Sequence, residues 1–463
     1  MQVRPHRPAR HPLPARLGVF GVGALLVVGL LPAAAAEAAT PVRSVTALVT
    51  PALVTPSASN ARIVRVEAAR IKARPLGGQV SMSVANITGP SIYARYSVTP
   101  RLGASNMKLV TAVTAMRTMG LNRLLPTTVV QGATNRDVVL VGGGDPMLTS
   151  ANLTGLAQQT ATALAAKAPA PVPVAPGAAP VAPVPVKYTV RIDDSLFAAP
   201  SLAPGWPSDY LPSVVRPVRA LVRDGRLLWD TGADAGNYFT AVVRANVLAK
   251  LKARTDLAVA VTFTGRTVAK PTAPMITRFA GHSVRSALSW MLLVSENQVA
   301  EMMFRLSARA AGYPATWAGG RAAATATLAR LGIRTTGLVL ADGSGVSRSD
   351  RLTSLALIQL LQLAASPAHP ELSALRGMLP VAGRSGTLSK RFGNGLSRCA
   401  RGRVEAKTGT LHDVVALSGY TTGTDGRTKV FAILVSPRPE RAYSVTATRA
   451  SVDLLATTVT GCA

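Results

Sequence analysis

The spacing of apolar residues in the first half of the chain predicts a hairpin and a buried helix. Two alternating runs, 80–84 and 91–95, flank a Thr-Gly-Pro turn and therefore predict strand, turn and strand. Residues 105–119 contain no proline or glycine and place apolar residues at helical spacing. This pattern predicts a helix that starts at or just after Ser105 and ends at Gly120.

The second half alternates between strand-like and helical patterns. Residues 168–186, rich in proline, alanine and valine, predict an extended surface excursion at an insertion or boundary. Residues 187–277 are strand-like and predict a separate β-rich unit. Further on, we expect helices over 286–309 and 317–331, strands over 404–410, 414–420 and 429–435, and a closing helix over 444–459.

The N-terminal residues carry the pattern of a secretory signal. Arginines precede an apolar stretch at 17–31, and a small-x-small cleavage pattern follows at 36–38. We predict a cleaved signal peptide over 1–38 and a flexible tether over 39–60, hence an exported protein of the cell wall or a periplasm-like space. An uncleaved signal would instead leave the protein membrane-associated.

Composition supports a folded chain and gives it an unusual charge. The 463 residues are 48% hydrophobic and 16% charged, which is typical of a globular protein with a sizeable core. Lysine and arginine number 51 against 21 acidic residues, a formal charge of +30. Outside the cytoplasm nucleic acid is out of reach, so we expect anionic partners such as cell-wall polymers or acidic substrates. The alternative is a bias of composition without a partner.

The two cysteines of the chain, Cys399 and Cys462, remain after removal of the signal. An even count in an oxidising compartment favours a disulfide, which would stabilise the fold by about 4 kcal/mol because it closes a long loop. Two separate thiols are the alternative.

The sequence offers few histidines for catalysis or metal binding. After the signal the histidines are His282, His369 and His412, and none of them has a partner at metal-ligand spacing, so we expect neither a metal nor a cofactor. No Gly-x-Ser-x-Gly motif is present, which disfavours a serine-histidine-aspartate hydrolase. Catalysis in this chain must therefore use other groups.

Three short motifs offer a serine chemistry that needs no histidine. Ser105 and Lys108 share a face at the start of the predicted helix, where the amine can take a proton from the hydroxyl. Without the other motifs, the same pair is equally consistent with a helix-capping serine near a surface lysine. A Ser-Glu-Asn motif at 295–297 and a Lys-Thr-Gly motif at 407–409 follow in the order that serine acyl-transfer enzymes of the penicillin-binding class require.

Longer blocks around these motifs resemble one family. From about Gly78 to the C-terminus the chain is similar to the S13 family of D-alanyl-D-alanine carboxypeptidase/endopeptidases, the class C low-molecular-mass penicillin-binding proteins. The similar blocks, in family order, are LGASNMK at 102–108, GGGDP at 142–146, DSLF at 194–197, APGW at 203–206, DGSGVSR at 342–348 and GRVEAKTGTL at 402–411.

The resemblance implies an α+β fold. Its main part would be a serine β-lactamase/DD-peptidase-like transpeptidase domain, in which helices flank an antiparallel sheet, and an inserted β-rich domain would interrupt it. We assign 61–145 and 278–463 to the discontinuous catalytic domain and 146–277 to the insertion. The distance between the first two motifs accommodates one inserted domain more readily than two.

The resemblance also implies roles for the motif residues. Ser105 would attack the carbonyl between two D-alanines, and Lys108 would accept its proton. Burial and the Lys407 cation would lower the pKa of Lys108 far enough for this. Ser295 would pass a proton to the leaving amine, while Asn297 positions the substrate amide and Lys108.

The third motif would bind the substrate from the strand at 404–410. Lys407 and the Thr408 hydroxyl would face a substrate carboxylate. Beyond Gly409, the backbone N–H of Thr410 would complete an oxyanion hole with the N–H of Ser105.

A further implied site is a pocket for the free end of a meso-diaminopimelate side chain, which carries an ammonium and a carboxylate. By position, Asp194 and Arg348 would bind these charges, with Leu411 or His412 on the wall. Alternatively, Asp194 caps a turn and Arg348 holds its own loop.

These residues predict an exported serine DD-peptidase that acts on peptidoglycan stem peptides. It would cleave D-Ala-D-Ala, with D-Ala-diaminopimelate cross-links as a further candidate, and β-lactam antibiotics would acylate it. A β-lactamase is one alternative, disfavoured by the long insertion and the lack of an evident added deacylation base. A non-catalytic protein that binds anionic wall polymers is another.

Overall fold

The computed structural model describes residues 58–73, 76, 78–171, 181–393, 395–437 and 444–462. The predicted signal peptide lies outside these residues, as do most of the tether and part of the proline-rich tract. The last residues assigned to the tether are helical instead, because Ala58–Ala73 forms helix α1, which buries Ile63. None of the described helices combines the length and apolar character that a bilayer span requires.

Helices and strands follow one another through the described chain. The further helices are α2 (Met107–Met119), α3 (Ser150–Ala165), α4 (Thr231–Lys250), α5 (Val284–Val294), α6 (Asn297–Ala310), α7 (Trp317–Arg330), α8 (Ser354–Ala364) and α9 (Val445–Thr460). The strands are β1 (Gly78–Asn86), β2 (Ser91–Arg95), β3 (Thr127–Gln131), β4 (Asp137–Val141), β5 (Val184–Asp193), β6 (Leu257–Arg266), β7 (Met275–Phe279), β8 (Val404–Thr410), β9 (Val415–Thr422) and β10 (Thr428–Pro437). The predicted hairpin, the helix after Ser105, and the three strands and helix at the C-terminus are confirmed.

The first sheet is antiparallel throughout, with the strand order β2-β1-β10-β9-β8. In β10, Ala432 and Leu434 belong to the core shared with α2, α5, α6, α7 and α8, whereas Phe431 and Ile433 belong to the core under α9. Both faces of the sheet are therefore covered, which explains the continuous apolar run of β10. β8 lies at the edge of this sheet. Pro380 and Ala382 bond its outer side at Ala406 and Val404, whereas Thr408 and Thr410 further along the strand line an open groove.

The inserted unit is a mixed α/β structure rather than the predicted β-rich one. Its sheet has the order β6-β5-β4-β3-β7, in which β4, β5 and β6 are parallel neighbours and β3 is antiparallel to β4 and β7. Parallel neighbours need a crossover connection, and α3 and α4 provide the two crossovers while packing against the sheet.

The predicted limits of the insertion, 146 and 277, also need correction. Its sheet already contains β3 and β4, which were predicted to belong to the catalytic domain, and it ends with β7 at Phe279. The cause is hydrogen bonding across a long separation: β4 pairs with β5, which begins only at Val184. Local patterns identify such strands but not the sheet that they join.

A disulfide joins Cys399 and Cys462, as predicted, with a Cα–Cα distance of 5.9 Å. Cys399 lies in the 3-10 turn Gly395–Ala400, and Cys462 follows the end of α9. The bridge therefore fixes the C-terminal helix to the segment that precedes β8.

Candidate active site

Ser105 lies in a tight turn at the start of α2. The 3-10 turn Ala104–Asn106 leads directly into the helix, and Ala104 has a positive φ of 44°. The loop around Gly345 packs against this turn so closely that a Cβ at position 345 would lie 1.9 Å from the carbonyl oxygen of Ala104. The turn thus holds a half-buried serine hydroxyl at the end of a buried helix.

Lys108 is buried one helical turn beyond the serine. Its Nζ lies 2.9 Å from Ser105 Oγ, 2.7 Å from Asn297 Oδ1 and 3.0 Å from the carbonyl oxygen of Ser344. The ammonium form donates to all three oxygens. The neutral amine has two N–H groups and a lone pair, so it can donate to Asn297 and Ser344 and accept the proton of Ser105. The geometry is therefore that of a base.

A second serine and lysine face the same site. Ser295 lies in a left-handed conformation, φ 64°, at the break between α5 and α6. Lys407 on β8 is fully buried, and its Nζ donates to Ser295 Oγ at 2.8 Å and to the carbonyl oxygen of Thr408 at 2.8 Å. The three predicted motifs are thus brought together.

Burial affects the pKa of both lysines. It lowers the pKa of Lys108 to about 8, although the carboxylates of Glu301, Asp342 and Glu296 oppose the shift. Burial lowers the pKa of Lys407 well below its usual range, and the charge of Lys108 lowers it further. The resemblance implies that a cationic Lys407 lowers the pKa of Lys108. In the structure Lys108 holds its proton more readily than Lys407 does, because Lys108 lies near carboxylates.

The rate of acylation should report this shift. Because only neutral Lys108 can accept the proton, the rate should rise with pH and level off above about 8. Below that value each pH unit should lower the rate about tenfold, and an amine with an ordinary pKa would level off about two units higher. Stopped-flow acylation by a fluorescent penicillin measures this profile, and a rate independent of pH below 8 would contradict it.

A buried carboxylate cluster supports the loop that contacts Lys108. Glu301 on α6 accepts the backbone N–H groups of Gly343 and Ser344, each at 2.9 Å. Asp342 accepts those of Gly345, Val346 and Ser347. Burial raises the pKa of Glu301 well above its usual range. The Asp-Gly-Ser-Gly block at 342–345 resembles the family in sequence, but nothing in the sequence indicates that the carbonyl oxygen of Ser344 is a partner of the base.

The insertion contributes to the site through Val214 and Trp206, two contacts that the sequence did not predict. The segment between β5 and α4 returns to the catalytic helices, where the carbonyl oxygen of Val214 accepts a hydrogen bond of 2.8 Å from Asn297 Nδ2. Because the amide nitrogen of Asn297 is held there, its oxygen is directed at Lys108. Trp206 donates to Asp342 at 2.8 Å, so the same segment also supports the Ser344 loop.

Asp194 and Arg348 each have a charged partner within the protein. Asp194 is buried in the inserted unit and bonded by Arg266, whose Nε lies 3.0 Å from Oδ1. Arg348 makes a two-pronged ion pair with Asp413, at 2.7 and 2.6 Å. No ion pair links Asp194 to Arg348 in the described part of the chain. Asp194 therefore pairs with an arginine of β6 and does not cap a turn, whereas Arg348 pairs with the loop after β8. The pocket for a diaminopimelate side chain stays a prediction.

An apolar wall borders Ser105 on the other side. Leu411 packs with Ala104 and Val414, and Tyr210 lies against this cluster. His412 is hydrogen-bonded to the same segment, because its Nδ1 lies 3.0 Å from the hydroxyl of Tyr210. Leu411 therefore packs beside Ala104, the residue that precedes the nucleophile, and its place in a diaminopimelate pocket stays a prediction.

Gly409 allows β8 to approach the nucleophile. A Cβ at position 409 would lie 2.7 Å from the carbonyl oxygen of Gly103. The close approach places Thr410 and Ser105 on one groove of about 780 Å³, with Thr408 and Ser295 also on its walls. The two N–H groups predicted for an oxyanion hole thus belong to residues that line the same groove.

A fold that activates a serine with a lysine, on helices that cover an antiparallel sheet, defines a penicillin-recognising serine acyl-transfer enzyme. A model of the D-Ala-D-Ala carboxypeptidase 3 (S13) family matches residues 67–259 and 257–459. The chain belongs to this family, which confirms the predicted resemblance and identifies the chain as a serine hydrolase.

Relatives and a solved structure agree with this assignment. A carboxypeptidase of Mycobacterium tuberculosis is 32% identical over 410 residues, which cover 85% of this chain and 84% of the relative. A D-alanyl-D-alanine carboxypeptidase of an Actinomadura species is 30% identical over 441 residues, covering 76% and 77%. Penicillin binding protein 4 of Haemophilus influenzae superposes with a TM-score of 0.68 over 85% of this chain and 99% of that one, at 19% identity. The predicted fold class is thereby confirmed.

Proposed function

We propose that this protein is an exported serine DD-peptidase that cleaves D-Ala-D-Ala in peptidoglycan stem peptides through an acyl-enzyme. The observation that carries the proposal is the position of buried Lys108 between Ser105 and Asn297. A nucleophile and its base are in hydrogen-bond contact, and the base is oriented by two further oxygens. Export is proposed from the signal-like N-terminus alone.

The first step forms an ester. Ser105 Oγ attacks the carbonyl of the penultimate D-alanine while Lys108 Nζ takes the hydroxyl proton. The N–H groups of Ser105 and Thr410 stabilise the oxyanion, and collapse expels the amine of the terminal D-alanine. Ser295 gives that amine a proton, and Lys407, which donates to Ser295 Oγ, replaces it.

Substrate binding would also prepare the base. A carboxylate bound beside Thr408 favours the cationic form of Lys407. The new cation then disfavours a proton on Lys108, so the substrate itself promotes the neutral base. Water finally attacks the ester, and Lys108 returns to Ser105 Oγ the proton that it took in the first step. The proton of the water passes through Ser295 to Lys407, which the first step left neutral, and the shortened peptide is released. A β-lactam carbonyl would acylate Ser105 through the same first step.

Product analysis tests the proposal. The enzyme is incubated with a defined stem pentapeptide ending in D-Ala-D-Ala, and released products are identified by mass spectrometry. We expect release of D-alanine, which disappears when the enzyme is first acylated by a penicillin. Rapid turnover of benzylpenicillin without D-alanine release would indicate a β-lactamase, and absence of any penicillin adduct would indicate a non-catalytic wall-binding protein. Either result would overturn the proposal.

A further inference from the structure

The two helices of the inserted unit pack on one face of its sheet. In β5, Tyr188 and Val190 belong to the core beneath α3 and α4. Because successive side chains of a strand point to opposite faces of the sheet, Lys187, Thr189 and Arg191 lie on the other face. Both of these cations are exposed. The second face of the sheet is therefore hydrophilic and positively charged along β5.

A pocket lies on this second face, away from the helices. Residues of β4, Arg191 of β5 and the loop between β6 and β7 line it. Its volume is about 310 Å³, which is within the range of small-ligand sites in proteins. It shares no lining residue with the groove that contains Ser105. The pocket is therefore separate from the active site.

Hydrogen bonds at both ends fix the loop that covers the pocket. The backbone N–H of Thr267 donates to the carbonyl oxygen of Ile192 at 2.9 Å, and that of Ala269 donates to Asp193 Oδ2 at 2.8 Å. At its other end, a backbone hydrogen bond of 2.9 Å joins the loop to the end of β3. The pocket is thus formed before any ligand binds, as is usual for specific binding sites.

Two cations on the lining have donors to spare. Arg191 Nε donates to the hydroxyl of Thr264 at 3.2 Å, but its two amino groups make no hydrogen bond within the described ranges. Lys270, on the covering loop, is exposed, and its ammonium has neither a hydrogen bond nor an ion pair in the same part of the chain. An anion in the pocket can therefore use both groups.

Asp137 is the one acidic residue among the described residues of the lining. Its Oδ2 accepts the backbone N–H of Thr134 at 2.9 Å, and its Oδ1 accepts the hydroxyl of Thr189. Its hydrogen bonds thus come from the β3–β4 turn and the neighbouring strand, and no ion pair joins it to Arg191. Two cations against one carboxylate leave a net positive charge. The free amino groups of an arginine form a planar fork that matches a carboxylate.

The rest of the lining combines hydroxyl groups with apolar surface. Thr267 and Thr272 carry the hydroxyls, while Val139 on β4 and Val268 on the loop are apolar. A sugar ring presents hydroxyl groups around its edge and C–H groups on its faces, so this mixture suits a sugar unit. A sugar that also carries a carboxylate satisfies the cations as well.

We infer that this pocket binds a carboxylate-bearing sugar unit of an anionic glycan, with its carboxylate on Arg191 and Lys270. The inference goes beyond the proposed reaction and does not depend on it. The general positive charge of the chain attracts any anion, whereas this pocket selects one by shape and by the arginine fork. Binding here holds the enzyme on a glycan while the active site stays open to stem peptides.

The test measures binding of the full chain to polygalacturonate, a polymer of sugar acids, by isothermal titration calorimetry at low ionic strength. We expect Arg191→Gln/Lys270→Gln to weaken binding at least about tenfold, because two charge-assisted contacts are lost. Lys250→Gln/Lys252→Gln is the matched control, since it removes the same charge from exposed lysines at the end of α4, the helix on the opposite face. Its affinity should stay within about twofold of wild type.

Acylation by a fluorescent penicillin, measured on the same three proteins, checks the fold and should proceed at equal rates. No binding of polygalacturonate by wild type would overturn the inference. Equal losses in both double variants would also overturn it, since attraction would then be general. Tighter binding of poly(glycerol phosphate) than of polygalacturonate would show that the pocket does not select a sugar acid. If none of the proteins is acylated, the proposed function fails, while the binding comparison still decides the inference.

Discussion

Lys108→Ala should form the penicilloyl adduct about 10³-fold more slowly than wild type, and release of D-alanine from a pentapeptide should fall by a similar factor. The reason is that Lys108 Nζ, 2.9 Å from the Ser105 hydroxyl, is the only amine that contacts it in the described part of the chain. Lys407 contacts Ser295 instead, so it cannot take over the proton directly.

The measurement is the second-order rate of acylation by a fluorescent penicillin, followed at several pH values. Ser105→Ala sets the background, because it removes the nucleophile. Lys187→Ala, which removes an exposed lysine of β5, is the matched control and should acylate at the wild-type rate. Circular dichroism checks that Lys108→Ala is folded. A folded Lys108→Ala variant that acylates at nearly the wild-type rate would show that another group is the base.

The sequence was most informative where chemistry and local pattern coincide. Ser105, Lys108 and Lys407 were identified because their spacing on a helix and a strand is itself the motif. The strand at 429–435 was predicted because a short apolar run follows the hairpin turn pair Asp425-Gly426. The catalytic residues were therefore predicted largely from short sequence motifs and their order along the chain.

Long-range contacts account for what the sequence did not show. The pairing of β4 with β5 is formed across α3, so no local pattern placed β4 in the inserted sheet. In the sequence alone, Asp194 has no visible partner. Its partner in the structure, Arg266, lies far along the chain. The side chain of Val214 does not indicate its role, because Asn297 donates to the backbone carbonyl oxygen of Val214.

The buried acid Asp342 should be the residue outside the motifs whose loss costs most. Its carboxylate accepts three backbone N–H groups of residues 345–347 and the indole N–H of Trp206. Asp342→Ala leaves these four donors without their acceptor, at about 1 kcal/mol or more each. We therefore expect a loss of at least about 4 kcal/mol in the free energy of unfolding, and a Tm lower by about 5 °C for a chain of this length. Thermal unfolding by circular dichroism measures this, and a change in Tm under about 2 °C would contradict the assigned role.

Asp342→Asn separates the structural role from the electrostatic one. It keeps one acceptor oxygen but removes the negative charge that favours the cation on Lys108. Because a lost anion favours the neutral amine, the pH at which acylation reaches half its maximum should move below about 8, while the unfolding temperature falls less than in Asp342→Ala. A midpoint that stays at about 8 in a folded variant would mean that Asp342 does not influence the charge of Lys108. The Ser344 loop would then serve only to hold the amine in place, and the pKa of the base would be set by burial and its other neighbours.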